Sequence, residues 1–343
     1  MSEDTPEEIP VAAKRTHALH GACFRLDCSF NNQEGDTMER EPAPALFVGR
    51  TYFDVTFVTP HVPEGDEKAV ADDYAFCLGG NAVIAGLCCA KLGTPVDLLT
   101  TIGHDPLGQM ATQRFGDYGV QYFPRAVARS AVSLVRSHQG KRAILRCRDE
   151  DFLEPFPHLE VDQYRIVHFD GHQPDAAVHY AKLCREKGIL TSLDGGSLRE
   201  NTAELLDLID VAVVSERLCD QMGFKTPDAM LQYLRRKGCI VGAVTLGDQG
   251  VDWYHRDSGD QHLEAFTLSP ELVIDTNGAG DTFHGAYVYS WLRNPDASWE
   301  NHFRFAAAAS AHAVQQLGNE DGLPVLANVE AILNRRPQLA ASA

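Results

Sequence analysis

Short runs of aliphatic and β-branched residues alternate with helical segments along most of the chain, and this alternation restricts the possible folds more than any other feature. The predicted strands cover residues 46–49, 96–102, 166–169, 190–193, 211–214 and 240–246. The helices predicted at 174–187 and 227–238 each begin with proline and have glycine at or just past the end. We therefore expect an α/β fold with a doubly wound, mostly parallel sheet flanked by helices, with ligands at the carboxyl ends of the strands.

Two segments, 54–78 and 130–147, interrupt this alternation. Hydrophobic residues recur at every second position in each, as Val55 and Phe57 do in the first. We predict that the two segments form a small β-sheet that acts as a lid, because a lid excludes water from chemistry at the strand ends. The alternative is a surface hairpin without a function.

The domain organisation follows from the same patterns. Residues 1–44 are polar, acidic at the start and without clear periodicity, so we expect an N-terminal extension that is disordered or loosely packed. The folded domain is predicted to cover residues 45–330, with a C-terminal tail at 331–343. We hypothesise that Met38 is the true initiating residue, and a native mass spectrum showing all 343 residues would contradict this.

Charge and cysteine content narrow the expected partners and compartment. The formal net charge is −18, and no run of Lys or Arg is longer than three residues. Nucleic acids and anionic membranes are polyanions that require basic patches, so neither is an expected partner. The nine cysteines contain no Cys-x-x-Cys pair, and we find neither a secretory leader nor an apolar stretch near the roughly 20 residues that cross a bilayer. We expect a cytoplasmic protein with reduced thiols.

The segment from Asp275 to Asp281 (Asp-Thr-Asn-Gly-Ala-Gly-Asp) places two glycines at the start of a predicted helix. Apolar residues follow at spacings of three and four, and Pro295 comes after the end of the helix. At such a position main-chain N–H groups and the helix dipole attract an anion, and glycine lets phosphate oxygens approach the backbone. The Asp281 carboxylate would lie beside that anion, where it can accept the proton of an attacking hydroxyl. The segment therefore predicts a phosphoryl-transfer site.

Other interpretations of this segment remain open from its residues alone. Asp275, Thr276 and Asn277 are also suitable helix caps, and Asp281 would complement the helix dipole without a catalytic role. A nicotinamide dehydrogenase is disfavoured, because no Gly-x-Gly-x-x-Gly follows the first predicted strand, and the Walker A spacing is absent as well.

Further motifs accompany the segment at 275–281. They are Gly79, Gly80, Asn81 and Ala82 early in the chain, and Val244, Thr245, Leu246, Gly247 and Gly250 between. In this order and spacing they resemble the signatures of the PfkB family of carbohydrate kinases, also called the ribokinase family, over residues from about 45 to 324. Residues 213–215 and 318–322 are most similar to the ketohexokinase-like branch. The resemblance implies a ribokinase-like fold with a β-sheet lid and the activity of an ATP-dependent carbohydrate kinase.

The resemblance also implies a role for each matching position. The implied sugar-binding residues are Asp54, Gly79, Gly80 and Asn81, and the implied nucleotide-binding residues are Ser215, Thr245, Gly247, Gly250 and Asn277. The implied catalytic residues are Gly278, Ala279 and Gly280, which form the anion hole, and Asp281, which is the base. Asp54 is expected at the end of the first strand, where a carboxylate can accept from two neighbouring hydroxyls. The structural alternatives are a turn at Asp54 and a helix N-cap at Asn81.

Cofactors and assembly are likewise implied by the resemblance. Family members usually need Mg²⁺ with ATP, often bind a monovalent cation such as K⁺ near the anion loop, and include homodimers joined through their lids. Two departures limit this transfer. Many members have an Asn-x-x-Glu motif that orders the water shell of the metal, whereas this chain has Ser215, Glu216, Arg217 and Leu218, so the metal-ordering residue is unknown. Ile84 replaces a second Asn of ketohexokinase-like chains, so specificity for a ketohexose is not implied.

Together these observations predict an ATP-dependent kinase that phosphorylates a primary hydroxyl of a sugar or sugar-like small molecule by direct in-line transfer. A nucleoside kinase of the same family is the first alternative, because it would use the same anion loop. A non-catalytic sugar-binding regulator on the same fold is the second alternative, and the intact Asp281 and its two glycines argue against it.

Overall fold

The computed structural model describes residues 44–138 and 141–334, without the side chains of residues 137, 138, 141 and 142. Met38 and most of the predicted extension and tail lie outside the described residues. The division of the chain into extension, domain and tail therefore stays a prediction.

Two β-sheets and the helices that cover them make up the described residues. The strands are β1 (Ala45–Val48), β2 (Tyr52–Val58), β3 (Asp73–Gly79), β4 (Val96–Gly103), β5 (Gln121–Val127), β6 (Ala131–His138), β7 (Lys141–Cys147), β8 (Ile166–Phe169), β9 (Leu190–Gly195), β10 (Val211–Ser215), β11 (Val241–Thr245), β12 (Val251–His255) and β13 (Gly259–Leu263). The helices are α1 (Asn81–Lys91), α2 (Pro106–Asp117), α3 (Pro174–Lys187), α4 (Thr202–Leu206), α5 (Glu216–Gln221), α6 (Pro227–Lys237), α7 (Ala279–Arg293), α8 (Trp299–Ala313) and α9 (Leu326–Leu333). None of these helices is long and apolar enough to span a membrane.

The larger sheet is the doubly wound, mostly parallel sheet that the sequence predicts. Within the described residues its strand order is β13-β12-β11-β10-β9-β8-β1-β4-β5, and only the β11–β12 and β12–β13 pairs are antiparallel. Alternate residues of the central strand β1 point to opposite faces, so Ala45 and Phe47 join one hydrophobic core and Leu46 and Val48 join the other. Helices α1, α7 and α8 contribute to the first core, and α3 and α6 to the second.

Most of the predicted elements of this sheet are confirmed, and the omissions lie at its edges. Helix α3 has the predicted bounds and ends at Gly188, whose φ of 69° is readily adopted by glycine. The six predicted strands correspond to β1, β4, β8, β9, β10 and β11. The sequence analysis missed β5, β12 and β13. Strand β5 contains Pro124, which is tolerated because β5 is an edge strand, and its buried residues lie only at its end. Strand β13 is mostly exposed and has no buried hydrophobic run.

The two segments that interrupt the alternation form the smaller sheet, with strand order β3-β2-β6-β7. Strands β2 and β6 are parallel, and the outer pairs are antiparallel. The register aligns Asp54, Ser133 and Arg146 in one row across β2, β6 and β7. Val55 and Leu134 belong to the next row, so they lie on the opposite face.

The strand order of the larger sheet reverses direction at β1. The chain proceeds from β1 to β4 and β5 on one side, and from β8 to β9, β10 and β11 on the other. A crevice forms at the carboxyl ends of the strands at such a switch point, and ligands of open α/β sheets bind there. The smaller sheet begins at Tyr52, directly beyond the carboxyl end of β1. The fold thus positions the smaller sheet next to this crevice.

Candidate active site

Helix α7 begins directly after the glycine loop, as the sequence predicts. Gly278 occupies the N-cap position with a φ of 76°. A Cβ atom at this position would lie 2.6 Å from Oδ1 of Asn319, so both the backbone conformation and the close approach of Asn319 require glycine. Asp281 lies in the first turn of α7 and is partly buried. The N–H groups of a first turn have no acceptor further back in their helix, which makes this end of α7 suitable for an anion.

Asp275 fixes the loop that precedes α7. Its side chain is buried, and its carboxylate accepts hydrogen bonds from the N–H groups of Asn277 at 2.9 Å and Gly318 at 3.2 Å. The alternative interpretation, in which Asp275, Thr276 and Asn277 cap the helix, is wrong, because Gly278 holds the N-cap position. Asp275 instead ties the glycine loop to the segment that follows α8.

Asp54 lies on β2 beside this loop, so its predicted place at the end of the first strand, and the alternative of a turn there, are both wrong. It is 5% exposed, and its Oδ2 accepts hydrogen bonds from the side-chain amides of Asn277 at 3.0 Å and Asn319 at 2.8 Å. Oδ1 is buried without a hydrogen-bond partner among the described residues. An unpaired buried carboxylate oxygen is costly, and a sugar hydroxyl would supply the missing donor. Asn277 therefore joins the predicted sugar-binding acid to the anion loop, and Asn319 joins it as a residue that the sequence analysis missed.

The second predicted sugar-binding element is the turn from β3 into α1. A Cβ atom at Gly79 would lie 2.6 Å from the Asp54 carboxylate, and one at Gly80 would lie 2.0 Å from a main-chain oxygen. Gly80 also occupies the N-cap position of α1, so the alternative role of Asn81 as the N-cap is wrong. Asn81 is the first residue of the helix, and its Nδ2 donates a hydrogen bond to Asp194 at 2.9 Å. The structure thus brings all four predicted sugar-binding residues together.

The predicted nucleotide-binding residues other than Asn277 lie at the ends of neighbouring strands. Ser215 and Thr245 end β10 and β11 and are partners in the register of the sheet. Gly247 and Gly250 follow in a short turn, with φ of 62° and 97°. A Cβ atom at Gly250 would lie 2.0 Å from the main-chain oxygen of Leu263. The packing of the chain therefore requires glycine at this position, whether or not a ligand binds there. The role of all four residues in nucleotide binding stays a prediction.

Two buried acids at the switch point were not predicted. Asp170 follows β8, and its carboxylate accepts hydrogen bonds from the N–H groups of His172 at 2.8 Å and Ala82 at 3.3 Å. Burial raises the pKa of Asp170 to about 6. Asp194 near the end of β9 is the partner of Asn81, and burial raises its pKa as well. The sequence signal for these two acids is an acid at the end of a buried strand. Many strands of α/β proteins share this pattern, so it does not distinguish a site residue.

Arginine side chains that the sequence analysis also missed gather beside these acids. Arg50 follows β1, Arg199 follows β9, and Arg146 and Arg148 lie at the end of β7. They come from three separate segments of the chain, and each segment alone has the composition of an ordinary loop or exposed strand. Only the fold brings them together.

Comparisons with known proteins agree with this geometry. The family model described as pfkB family carbohydrate kinase matches residues 44–326. A ribokinase of Lactococcus lactis is 24% identical over 295 residues, which cover 83% of this chain and 95% of the relative. An ATP-dependent ribose-1-phosphate kinase of Halopiger xanaduensis is 25% identical over 302 residues, which cover 85% of this chain and 98% of the relative. The structure of Arabidopsis thaliana ribokinase complexed with ribose and ATP matches with a TM-score of 0.72 and 24% identity, covering 86% of this chain and 99% of that one.

The likeness to the Arabidopsis structure shows the shared fold. The family model spans most of the chain, including both glycine motifs and the predicted base. The ribokinase-like fold and the kinase class that the sequence predicts are thereby confirmed. The chain belongs to the PfkB family of carbohydrate kinases, which are phosphotransferases.

Proposed function

We propose that the protein transfers the γ-phosphoryl group of ATP to a primary hydroxyl of a sugar or sugar-like molecule. The hydroxyl oxygen attacks the γ-phosphorus in line, the bond to the bridging oxygen of ADP breaks with its electron pair leaving on ADP, and the hydroxyl proton passes to Asp281. The products are a phosphate ester, ADP and a proton. The observation that carries this proposal is the buried Asp54, whose Oδ2 is joined to the anion loop through Asn277 and whose Oδ1 has no partner among the described residues.

Asp54 supports the proposal because a sugar has the group that this carboxylate lacks. A hydroxyl that donates to Oδ1 would remove the cost of an unpaired buried oxygen. Ser133, directly across from Asp54 on β6, is buried, and its Oγ also has no hydrogen-bond partner in the described part of the chain. A polyhydroxylated acceptor offers donors and acceptors to both side chains. In this proposal the smaller sheet is the lid that covers the acceptor.

The N-terminus of α7 supports the proposed roles of the anion loop and of Asp281. The main-chain amides of residues 278–281 would stabilise the negative charge of the transferring phosphoryl group. A Cβ atom placed at Gly280 would meet no heavy atom within 4 Å, so there is room over the loop for a phosphate. A loose phosphoryl transition state requires little of the base beyond correct positioning, which suits a carboxylate such as Asp281.

ATP, Mg²⁺ and K⁺ complete the proposal. Proteins of the ribokinase family use ATP, and we assign Ser215, Thr245, Gly247 and Gly250 to its binding. The described residues contain no group of three or more His, Cys, Asp or Glu side chains that could hold a metal. Magnesium usually binds through substrate phosphates with one or two protein carboxylates, so an Mg²⁺ ion that arrives with the nucleotide and screens its phosphates fits this chain. We propose K⁺ as the activating monovalent cation; equal activity in K⁺ and Na⁺ would contradict that part.

The outer face of the smaller sheet supports a homodimer joined through the lids. Leu134 and Leu145 are register partners on the face opposite Asp54, and they are 46% and 71% exposed. Exposed apolar side chains that adjoin on one sheet face are typical of protein interfaces. We expect a dimer by sedimentation velocity, and a monomer after Leu134→Lys and Leu145→Lys together. A wild-type protein that sediments as a monomer at micromolar concentration would refute this assembly.

An acceptor screen tests the proposed function. ADP release is measured with ATP and Mg²⁺ in the presence of pentoses, hexoses, ketoses, their phosphate esters and nucleosides. Release that depends on a sugar or a sugar ester supports the proposal, whereas release that depends only on nucleosides supports the nucleoside-kinase alternative. Sugar binding without ADP release from any acceptor would support the non-catalytic regulator.

A further inference from the structure

Four arginine side chains from three segments of the chain converge near the acceptor side of the site. We call this group the arginine cluster, and its members are Arg50, Arg146, Arg148 and Arg199. The charges of all four lower the pKa of the ring of His172, after the larger effect of its burial. His172 is 6% exposed and follows β8 at the switch point of the larger sheet. The four guanidinium groups therefore all lie near enough to this one buried ring to affect its charge.

Direct contacts support this convergence. Nη2 of Arg199 lies 2.5 Å from Nε2 of His172, and since arginine can only donate, the neutral ring accepts this hydrogen bond. Nη1 of Arg148 donates to the hydroxyl of Tyr52 at 3.2 Å. Arg146 lies over the Tyr52 ring, with its guanidinium carbon 5.2 Å from the ring centroid. Tyr52 and His172 are themselves in edge-on contact, with their centroids 5.7 Å apart.

Part of the hydrogen-bonding capacity of the cluster is unused. Arg50 is 2% exposed, and one of its terminal nitrogens donates to the main-chain oxygen of Asp149. The Nε groups of Arg50 and Arg199 are buried without a hydrogen-bond partner among the described residues. Buried guanidinium donors without an acceptor are costly, so an acceptor that binds between them would be stabilised.

The two acids next to Arg148 in the chain offset little of the charge of the cluster. Arg148 pairs with Glu150 at 2.6 Å, but Glu150 is 70% exposed and the pair is screened by solvent. Asp149 accepts a hydrogen bond from the main chain of Arg129 and also pairs with its side chain, and Arg129 lies outside the cluster. These acids therefore leave most of the guanidinium charge unbalanced.

The buried acids offset only part of the remainder. Asp170 and Asp194 lie near enough to Arg199 to stabilise its charged form. Burial raises the pKa of both carboxyl groups, and even when both are ionised they supply two negative charges against the four positive charges of the cluster. In a chain with a formal net charge of −18, a concentration of positive charge around one buried position requires an explanation, and an anionic ligand provides one.

The position of the cluster indicates that the anionic group belongs to the acceptor molecule. Tyr52 and Asp54 lie on the same face of β2, about 7 Å apart along the strand at its rise of roughly 3.3 Å per residue. Asp54 is hydrogen-bonded to Asn277, directly before the anion loop, whereas Tyr52 contacts Arg148 and Arg146 of the cluster. One sugar ring can therefore lie between the two, with its accepting hydroxyl towards the anion loop and an anionic substituent towards the arginines.

We propose that the acceptor is a sugar monophosphate and that the arginine cluster binds its phosphate. A phosphate monoester matches the cluster because its tetrahedral oxygens accept bidentate hydrogen bonds from several guanidinium forks at once. The transfer then converts a sugar monophosphate and ATP into a sugar bisphosphate, ADP and a proton. This inference rests on the proposed function, because it names the acceptor class of the same site.

The test compares pentose and hexose monophosphates with their unphosphorylated parent sugars. For the correct acceptor we expect a kcat/KM at least about 10-fold higher with the monophosphate, because several charge-assisted hydrogen bonds are added. Arg199→Gln and Arg146→Gln should each lower this preference by about 10-fold. Arg146 is exposed, so its replacement does not threaten folding. Arg236→Gln, at an exposed position on α6, is the matched control and should leave the preference unchanged.

Calorimetric binding separates the failure of this inference from failure of the proposed function. Tight binding of a sugar monophosphate by the wild type, weakened by Arg199→Gln and competed by inorganic phosphate, supports the cluster even if ADP is never released; in that case only the kinase proposal fails. Phosphorylation of a neutral sugar with equal or greater kcat/KM, together with equal binding of both forms, overturns the inference and leaves the kinase proposal standing.

Discussion

The anion loop at residues 278–281 and the arginine cluster are both suited to an anion, but by opposite means. The loop uses main-chain amides at the start of α7 and requires Gly278 in a left-handed conformation. The cluster uses side chains that carry full positive charges, on β7 and on the segments that follow β1, β7 and β9. Amides add no net charge, so the loop can hold a phosphoryl group while its charge is redistributed. Arginines add charge and fork geometry, which favour an anion that stays bound and unchanged.

This difference assigns the two regions to different parts of the reaction. The loop ends at Asp281, the proposed base, whereas the cluster lies beside Tyr52 and His172 and has no proposed base within it. Changes at the loop should therefore act mainly on kcat, and changes at the cluster mainly on acceptor selection.

Replacement of the proposed base should have the largest effect. We expect Asp281→Asn to lower kcat by ~10²–10⁴-fold, which is the usual contribution of a positioned acid or base, while ATP still binds. Steady-state kinetics and calorimetric titration with a non-hydrolysable ATP analogue measure the two properties. Asp228→Asn is the matched control, because Asp228 is an exposed acid in the first turn of α6. If Asp281→Asn turns over near the wild-type rate, Asp281 is not the base, and the loop and the cluster no longer differ in chemical role.

The same contrast explains what could be predicted from the sequence. The anion loop is a contiguous segment whose glycines and acid have a local physical meaning, so its position at a helix start was predictable. The network around Asp54 was not, because Asn319 reaches Asp54 only after α7 and α8 return the chain to β2. The arginine cluster was less predictable still, since its three segments meet only when the switch point of the sheet forms.

The edge strands show the same limit within the fold. The buried parallel strands have continuous apolar runs that are visible in any window of sequence, whereas β13 is a polar, exposed edge. Pairing with β12 defines β13, and that pairing is a tertiary contact. Local pattern therefore identified the centre of the sheet and the loop, and long-range packing determined the edges and the cluster.

A methyl group on the loop should separate stability from activity. Gly280 is exposed and does not have a positive φ, and an added Cβ would meet no heavy atom within 4 Å. Gly280→Ala should therefore raise the free energy of unfolding by up to about 1 kcal/mol. The methyl would occupy space proposed for phosphate, and since misplacement by 1 Å costs as much as about 100-fold, we expect kcat/KM for ATP to fall at least about 10-fold.

Gly116→Ala is the matched control for this variant. Gly116 lies on the exposed side of α2, and a Cβ atom there would also meet nothing within 4 Å. It should show the gain in stability without the loss of activity. If Gly280→Ala is as active as Gly116→Ala, the phosphate does not bind over the loop, and the proposed division between loop and cluster fails.

The smallest expected effect tests how far the charge of the arginine cluster is neutralised by the neighbouring Asp170. Burial raises the pKa of Asp170 to about 6, above the value of about 3.9 for an unfolded chain. Between these values the unfolded chain has released the proton and the folded chain retains it, so Asp170 makes the free energy of unfolding fall as pH rises, by about 1 kcal/mol from pH 5 to 7. Asp170→Asn cannot titrate and should lack this contribution. Urea denaturation of both proteins at pH 5, 6 and 7 measures the difference. If the wild type and the variant instead show the same pH dependence over this range, the arginines offset burial and hold Asp170 ionised even at pH 5, which would leave the cluster with less positive charge to bind a phosphate.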